Sequence, residues 1–267
     1  FCLLMKYARL WLILISLLLG LLAWQALVAL RNYPSFILPA PLAVGARFLQ
    51  AARDGSLLRH SAVTLAEVLS GLTLGVGVAT VLGYLLARSL PLERLLSPYI
   101  IASQAIPVVA IAPLLVIWFG PGMFSKVLIC ALIVFFPVLI NTVVGVRSVP
   151  ADLRDLLRSL RATRWQMLRL LEAPAALPVF LGGLRVGATL AVIGAVVGEF
   201  VGAKSGLGFL INVGRGLYDT ALVFVAVFTL VALALSLYGL VAWLESRLLA
   251  WQRLPEDVIE KGDEHSE

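Results

Sequence analysis

Six apolar runs, each about as long as a lipid bilayer is thick, constrain the fold of this chain more than any other feature. A helix needs about 20 consecutive apolar residues to cross the hydrocarbon core. Lipid offers no hydrogen-bond partner to an open backbone, so runs of this length in a bilayer form helices. The chain is therefore predicted to be an all-α, polytopic membrane protein with six transmembrane helices. The predicted spans are residues 10–30, 62–87, 98–119, 124–146, 178–201 and 221–244.

The composition agrees with a membrane protein and excludes several other classes. Hydrophobic residues make up 61% of the 267 residues and charged residues only 13%, whereas soluble domains average about half and about a quarter. The net charge is +6, but the basic residues lie mostly between the apolar runs and form no basic face with interleaved aromatics for nucleic acid. Cys2, Cys130, His60 and His265 lack the spacing of a metal site, and we expect no cofactor.

The distribution of basic residues predicts the orientation in the membrane. Residues 1–9, 88–97, 147–177 and the chain after residue 244 hold 13 of the 21 Lys and Arg residues. Cytoplasmic loops carry the excess of Lys and Arg, so both termini are predicted to be cytoplasmic. Residues 32–61 would then lie outside. Their apolar residues recur at helical spacing, which predicts an amphipathic helix at the outer surface.

These assignments divide the chain into four predicted parts. Residues 1–31 form an N-terminal transmembrane helix and residues 32–61 the external amphipathic segment. Residues 62–248 form a membrane core of five transmembrane helices, which is interrupted by a charged insert at 147–177. Residues 249–267 form a cytoplasmic tail that is rich in charged residues.

Glycines repeat at four-residue spacing along the predicted spans. Small residues at this spacing let helix backbones approach closely inside a membrane. Packing within one subunit is the favoured interpretation, with a subunit interface as the alternative. The glycines are Gly71 with Gly75, Gly183 with Gly187, and Gly194, Gly198 and Gly202.

No arrangement of residues typical of catalysis is visible in the sequence. The stretch "GAKSGLG" from Gly202 resembles a phosphate-binding loop only superficially, because Lys204 does not follow a glycine and no strand precedes it. The chain has no Ser/His/Asp set, no paired carboxylates suited to acid–base chemistry and no HExxH motif. We therefore predict that it is not an enzyme.

Several polar residues fall within the predicted spans. Polar groups inside a membrane tend to face protein or a water-filled path, so some of them are candidates for lining a translocation path. The alternatives are interhelical hydrogen bonds, helix packing, contact with the outer interface for Glu67 and snorkelling to the inner interface for Arg185. The path candidates are Ser103, Gln104, Pro107, Asn141 and Glu199.

The insert has the pattern of an amphipathic helix outside the membrane. Leu153, Leu156, Leu157 and Leu160 recur at helical spacing, with arginines on another side. Thr163 is predicted to cap a second short helix that ends before Pro174. Such a surface lies on anionic lipid or docks a soluble partner, and the pattern alone leaves both open.

The insert and the sequence around it resemble one family of transport proteins. Residues 38 to about 248 include "LPAP", "TLAEVLSGLTLGVGVATVLGYLLA", "IPVVAIAPLLVIWFGPGMFSKVLI", "FFPVLINTVVGV", "PAALPVFLGGLRVGATLA" and "GEFVGAKSGLGFLI". These runs are similar to the permease subunit of bacterial ABC importers of the nitrate/sulfonate/taurine type. Two segments that overlap these runs, "TLAEVLSG" and "VVGEFVGAKSGLG", look closer to members that handle riboflavin or pyrimidine precursors of thiamine.

The resemblance implies a set of partners and a location. It implies two permease copies as a homodimer, two cytoplasmic ATPase subunits and an extracytoplasmic binding protein, all at the bacterial inner membrane. The permease would form the path for a small organic solute, with riboflavin or a thiamine-pyrimidine precursor as the first choice. A sulfonate, taurine or nitrate importer is the alternative within the family, and a stand-alone channel or secondary carrier is the alternative outside it.

The family marks its ATPase-coupling loop with the pattern E-A-A-x3-G-x9-I-x-L-P. In this chain Asp155-Leu156-Leu157 occupies the first three positions and Arg161 replaces the glycine. Glycine tolerates positive φ, so Arg161 is expected to turn differently or to leave the helix more continuous. The implied coupling residues are Asp155, Leu156, Leu157, Leu160, Arg161, Ala162, Thr163 and Pro174.

Overall fold

The computed structural model describes residues 2–31 and 33–253. Within these ranges the regular structure is helical and no strand is assigned, which confirms the all-α prediction. The predicted tail at 249–267 lies outside the described residues after Arg253. The helices are α1 Cys2–Arg31, α2 Pro41–Arg53, α3 Ser56–Arg88, α4 Leu90–Gln104, α5 Val108–Phe119, α6 Met123–Arg147, α7 Ala151–Ser159, α8 Arg164–Met167, α9 Ala173–Gly202, α10 Leu207–Gly216 and α11 Thr220–Leu248. A π-helical segment, Leu168–Glu172, joins α8 to α9, and a 3₁₀ turn, Ala250–Arg253, follows α11.

The helices group into two compact units. One comprises the described part of Phe1–Val63 together with Ser205–Leu230, and the other comprises Thr64–Lys204 together with the described chain from Val231. The second unit contains α4 to α9, including the charged insert. Its apolar core includes Ala112, Leu115 and Ile129 from α5 and α6.

Four helical segments in the described chain are long and apolar enough to cross a membrane. They are Ser56–Arg88, Met123–Arg147, Arg164–Gly202 and Thr220–Leu248. The pair α4 and α5 makes a fifth span if the two helices are counted together. The apolar part of α1 that the search covers, Ile15–Arg31, is shorter than a full span. Four to five spans are therefore supported, and the sixth stays a prediction.

The third predicted span is broken between two helices. Residues 98–119 divide into the end of α4 and the whole of α5, and the two helices meet at 94°. Pro107 is the N-cap of α5. A residue that precedes proline is disfavoured in the α conformation, and proline has no N–H to continue the helical ladder, so the chain breaks at 105–107.

The predicted external segment contains a helix but ends earlier than expected. α2 covers Pro41–Arg53 and buries Val44 and Ala51, and α3 already begins at Ser56 rather than at residue 62. In the connection, the Ser56 N–H donates to the Asp54 carboxylate over 2.9 Å, and hydrogen bonding by Ser56 lowers the pKa of the Asp54 carboxyl. Whether α2 lies outside the membrane stays a prediction.

Glycines bring α3, α6 and α9 into close contact, as the sequence predicted for packing within one chain. A Cβ atom on Gly71 would lie 2.2 Å from the Cβ of Cys130, and one on Gly75 would lie 2.7 Å from the carbonyl oxygen of Ala131. On α9, a Cβ on Gly194 would lie 2.8 Å from the Cα of Cys130. These positions admit no larger side chain without moving a helix backbone.

Candidate functional site

The charged insert forms a helix, a tight turn and a second helix. α7 begins after Pro150 and ends at Ser159, with Asp152 in its first turn and Arg158 in its last. These charges favour the helix, because an acidic group near the N-terminus and a basic group near the C-terminus both interact well with the helix dipole. An exposed ion pair of 3.1 Å joins Asp155 to Arg158, which stabilises the helix only slightly.

Arg161 turns as a glycine would, so the prediction that it would turn differently or prolong the helix is wrong. Its φ is 55°, in the left-handed region that favours glycine. The N–H of Arg161 donates to the Arg158 carbonyl over 2.9 Å, and the N–H of Ala162 donates to the Leu157 carbonyl over 3.0 Å. These two bonds are the Schellman pattern that closes a helix C-terminus. The backbone of the turn is retained although its usual residue is replaced.

Thr163 caps the second helix, as predicted. Its hydroxyl accepts a hydrogen bond from the Gln166 N–H over 3.3 Å, while the Gln166 side-chain oxygen accepts one from the Thr163 N–H over 2.8 Å. This reciprocal pair is a capping box, which satisfies two backbone donors at the helix start. The turn and the cap together fix the angle between α7 and α8.

The prediction that the second helix ends before Pro174 is wrong. The helical path runs through Arg164–Gly202, and the π-helical segment Leu168–Glu172 lies just before Pro174, which falls in the first turn of α9. Proline cannot donate to the ladder and its ring crowds the carbonyl four residues earlier. A π turn shifts the hydrogen-bond register by one residue, so the helix passes Pro174 without breaking.

The insert presents apolar side chains at its surface. Leu156 is 55% exposed, Leu160 is 69% exposed and Trp165 is 67% exposed. Leu157 and Ala162 are half-buried, and their backbones hold the turn. Leu153, Leu156 and Leu160 lie on the same side of the helical turns. An exposed apolar strip on a charged element is typical of a surface that another molecule covers.

Glu172 belongs to a buried polar cluster that sequence reasoning missed. Its side chain is buried, forms an ion pair of 2.7 Å with Arg88 of α3 and accepts a hydrogen bond of 3.2 Å from the Tyr84 hydroxyl. Arg88 also lies over the Tyr84 ring. The cluster fastens the start of α9 to the end of α3, next to the insert.

A second buried cluster connects α3, α6 and α9. Lys126 donates to Glu67 over 2.6 Å, and the two residues are only 5% and 1% exposed. Glu199, also 1% exposed, accepts a hydrogen bond of 2.6 Å from the Thr64 hydroxyl. The carboxyl groups of Glu67 and Glu199 also interact with each other. Glu67 is therefore buried among protein groups, and its predicted contact with the outer interface is wrong.

Arg185 also has protein partners. It forms an ion pair with Glu245 and a hydrogen bond of 3.4 Å with the Tyr238 hydroxyl, both on α11. Its guanidinium also lies over the Tyr238 ring. Arg185 is therefore paired within the protein, and its snorkelling to the inner interface stays a prediction.

The other candidates for the translocation path lie on different elements. Ser103 donates to the Ile100 carbonyl over 2.9 Å, Gln104 is the exposed last residue of α4, and Pro107 caps α5. Asn141 donates to the Pro137 carbonyl over 2.8 Å and faces Gly183 of α9. Their role in a path stays a prediction.

Comparison with known proteins assigns the family. Residues 75–250 match the family described as "Binding-protein-dependent transport system inner membrane component". The chain belongs to this family. It is 53% identical over 238 residues to the riboflavin transport system permease protein RibX of Chloroflexus aurantiacus, which covers 89% of each chain. It is 35% identical over 230 residues to the formylaminopyrimidine transport permease protein ThiX of Halalkalibacterium halodurans, which covers 86% of this chain and 91% of the other.

The fold agrees with that of solved ABC transporter chains. A chain of the MetNI methionine ABC transporter, in an inward-facing conformation, superposes with a TM-score of 0.65 at 20% identity and covers 74% of this chain and 98% of the other. This member of the family is thus a permease subunit of an ABC importer, and it is a multi-pass component of the inner membrane. The family assignment confirms the predicted class of transport protein.

Proposed function

We propose that this permease carries riboflavin, or a related flavin or pyrimidine, across the inner membrane. The observation that carries the proposal is the 53% identity with a riboflavin permease, which extends over 89% of both chains. The relative named for formylaminopyrimidine is 35% identical and supports the same branch. Sulfonate, taurine or nitrate is the alternative cargo within the family.

The permease forms the membrane path and does not hydrolyse ATP itself. Two copies pair as a homodimer, two cytoplasmic ATPase subunits drive them, and an extracytoplasmic binding protein delivers the solute. Both termini lie in the cytoplasm, and α2 lies at the outer surface. The excess of Lys and Arg in the insert and near the termini supports this orientation.

The insert is the element on which the ATPase docks. Its exposed strip of Leu153, Leu156 and Leu160 supports this role, because exposed leucines on a charged helix are stabilised by a covering partner. The turn at Arg161 and the capping box at Thr163 give the insert a defined backbone next to the strip. The π-helical connection to α9 transmits movement of the insert directly to a membrane span.

The test of the cargo uses the complete transporter in proteoliposomes. The permease, its ATPase and the binding protein encoded beside its gene are reconstituted, and uptake of radiolabelled riboflavin, formylaminopyrimidine and taurine is followed with and without ATP. We expect ATP-dependent uptake of riboflavin or the pyrimidine that also requires the binding protein. If only taurine were taken up, the proposed cargo would be wrong and a sulfonate-type cargo would take its place. Uptake without ATP or the partner proteins would indicate a stand-alone carrier.

A further inference from the structure

A polar cavity lies between the insert and the end of α3. Its volume is about 540 Å³, within the range of about 300–1,000 Å³ that is usual for ligand sites. Helices α3, α7 and α8 and the π-helical segment contribute to its wall. The charged residues in the lining are Arg88, Arg154, Arg158, Arg164 and Glu172.

The charges of this cavity are unbalanced. Arg88 is neutralised by Glu172, and Arg158 is paired at the surface with Asp155. Arg154 and Arg164 have no carboxylate partner within 4 Å among the described residues. One Arg154 terminal nitrogen donates to the Val146 carbonyl over 2.6 Å, whereas its Nε atom is buried without an acceptor in the described chain. Two guanidinium groups are therefore available to an anion, and Arg is well suited to phosphate.

An apolar cavity of about 380 Å³ adjoins the polar one, with which it shares Tyr84, Leu85 and Glu172. It lies between α3, α6 and α9. Its wall is almost entirely apolar beyond the shared residues, so water gains few hydrogen bonds there. Residues that line it include Val81, Leu168, Ala176, Leu177 and Phe180.

We propose that the two cavities together bind one anionic phospholipid. Its phosphate lies against Arg154 and Arg164, and part of an acyl chain lies along the apolar wall between α3 and α9. Basic pockets between transmembrane helices are suited to acidic headgroups, and the adjoining apolar cavity gives the chain a dry surface. The lipid bridges the insert and the membrane spans, at the place where α9 connects to both.

The combination of the cavities favours a lipid over other occupants. A metal ion is repelled by the arginines, and a neutral solute leaves their charge uncompensated. Inorganic phosphate or an acidic segment of a soluble protein satisfies the arginines but leaves the apolar cavity unfilled. A phospholipid matches both parts, because its charged and apolar portions are joined in one molecule.

The experiment measures lipid binding to the purified full-length permease by native mass spectrometry. The protein in detergent is titrated with phosphatidylglycerol and with phosphatidylcholine of identical acyl chains, and with glycerol 3-phosphate as a headgroup without chains. We expect preferential binding of phosphatidylglycerol, weaker binding of phosphatidylcholine and still weaker binding of glycerol 3-phosphate. Equal affinity for the two lipids would overturn the proposal, and equal affinity for phosphatidylglycerol and glycerol 3-phosphate would indicate a free-anion site.

Variants separate the contributions of the two cavities. Arg154→Gln, Arg164→Gln and their combination are expected to weaken phosphatidylglycerol binding, by about tenfold or more for the pair. Val81 lines the apolar cavity and is 64% exposed, so Val81→Trp is expected to fill the cavity. We expect this variant to bind both lipids more weakly and to bind glycerol 3-phosphate as the unchanged protein does. Arg169→Gln is the matched control, since Arg169 is exposed on the same insert outside both linings.

The measurement is independent of the cargo and of the ATPase, so it stands or fails separately from the proposed function. Unfolding midpoints are compared to confirm that each variant is folded. If loss of the Arg154 hydrogen bond unfolds the protein, Arg164→Gln alone is used to test the contribution of the arginines to lipid binding. Unchanged phosphatidylglycerol binding in the folded variants would overturn the site. Loss of ATPase assembly with lipid binding intact would show instead that the arginines serve the soluble partner.

Discussion

At the scale of single residues, the structure buries opposite charges between α3, α6 and α9. Lys126 and Glu67 are almost inaccessible, and Glu199 lies beside them. A buried ion pair contributes little net stability compared with apolar residues, but the removal of one partner leaves a charge that neither water nor protein compensates. The cluster therefore makes the association of α3 and α6 dependent on both partners.

We predict that Lys126→Met lowers the free energy of unfolding by about 3 kcal/mol or more, because Glu67 and Glu199 then face each other without a cation. The double variant Glu67→Gln/Lys126→Met should recover a large part of this loss, since it also removes one of the two carboxylates. Chemical unfolding in detergent micelles measures both. Equal destabilisation of the single and double variants would show that the pair is not coupled.

Arg161 gives a second prediction at this scale. A non-glycine residue in the left-handed region costs about 1–2 kcal/mol, so Arg161→Gly should relieve part of that strain. The gain is offset by the greater freedom of glycine in the unfolded chain. We predict that Arg161→Gly is neutral or stabilising, by no more than about 1 kcal/mol, and that Arg161→Val is destabilising because β-branched residues tolerate positive φ poorly. Thermal unfolding midpoints of the two variants and the unchanged protein give the comparison. An Arg161→Val variant more stable than the unchanged protein would contradict a positive φ at this position.

At the scale of elements, helix packing depends on where glycines lie. Gly75 faces the backbone of α6, whereas Gly77 of the same helix has no atom within 4 Å of a Cβ position. The two glycines share helix and sequence context and differ in their surroundings. They therefore separate the effect of helix contact from that of helix propensity.

We predict that Gly75→Ala destabilises the permease, because its Cβ would lie 2.7 Å from the Ala131 carbonyl oxygen. Gly77→Ala should instead be neutral or stabilising by up to about 1 kcal/mol, which is the difference in helix propensity between the two residues. Unfolding midpoints of the two variants in one detergent give the comparison. If Gly77→Ala lowered the unfolding midpoint as much as Gly75→Ala, packing against α6 would not be the cause of the destabilisation.

The exposed strip of the insert gives the prediction for the ATPase contact. Leu156→Asp or Leu160→Asp should abolish co-purification with the ATPase while the unfolding midpoint stays within about 1 °C, because both side chains are more than half exposed. Arg169→Gln is the control, since Arg169 is exposed on the same insert and belongs neither to the strip nor to the implied coupling residues. Normal assembly of both Leu variants would exclude the strip as the docking surface.

At the scale of the whole molecule, orientation follows from charge. We predict that a cysteine at Gly45 of α2 is labelled by a membrane-impermeant maleimide in intact cells, and that a cysteine at Ser159 of α7 is labelled only after the membrane is opened. Both positions are exposed, and native Cys130 is buried. A Cys2→Ser background removes the other thiol. Labelling of Ser159→Cys in intact cells would invert the assigned orientation.

The positions of the buried clusters could have been anticipated only in part. Glu67 and Lys126 lie near the outer ends of their predicted spans, whereas Arg88 and Glu172 lie on the cytoplasmic side, just outside the inner ends of the predicted spans 62–87 and 178–201. Opposite charges at similar predicted depth on two helices indicate that the two side chains could form an ion pair. Which helices become neighbours depends on contacts far apart in sequence, so the pattern along one helix cannot decide the pairing.

The sequence by itself determined the helical class, most of the spans, the cap at Thr163 and the family. Periodicity, capping residues and sequence motifs are local properties of the chain, so they can be recognised without the fold. Only the tertiary structure decided the 94° break between α4 and α5, the π-helical passage before Pro174 and the positive φ of Arg161. Prolines mark two of these places in the sequence, but residue type does not decide whether the helix breaks, as before Pro107, or continues through a π turn, as before Pro174. The positive φ of Arg161 accompanies the Schellman hydrogen bonds that close α7, although arginine at this position does not favour that conformation.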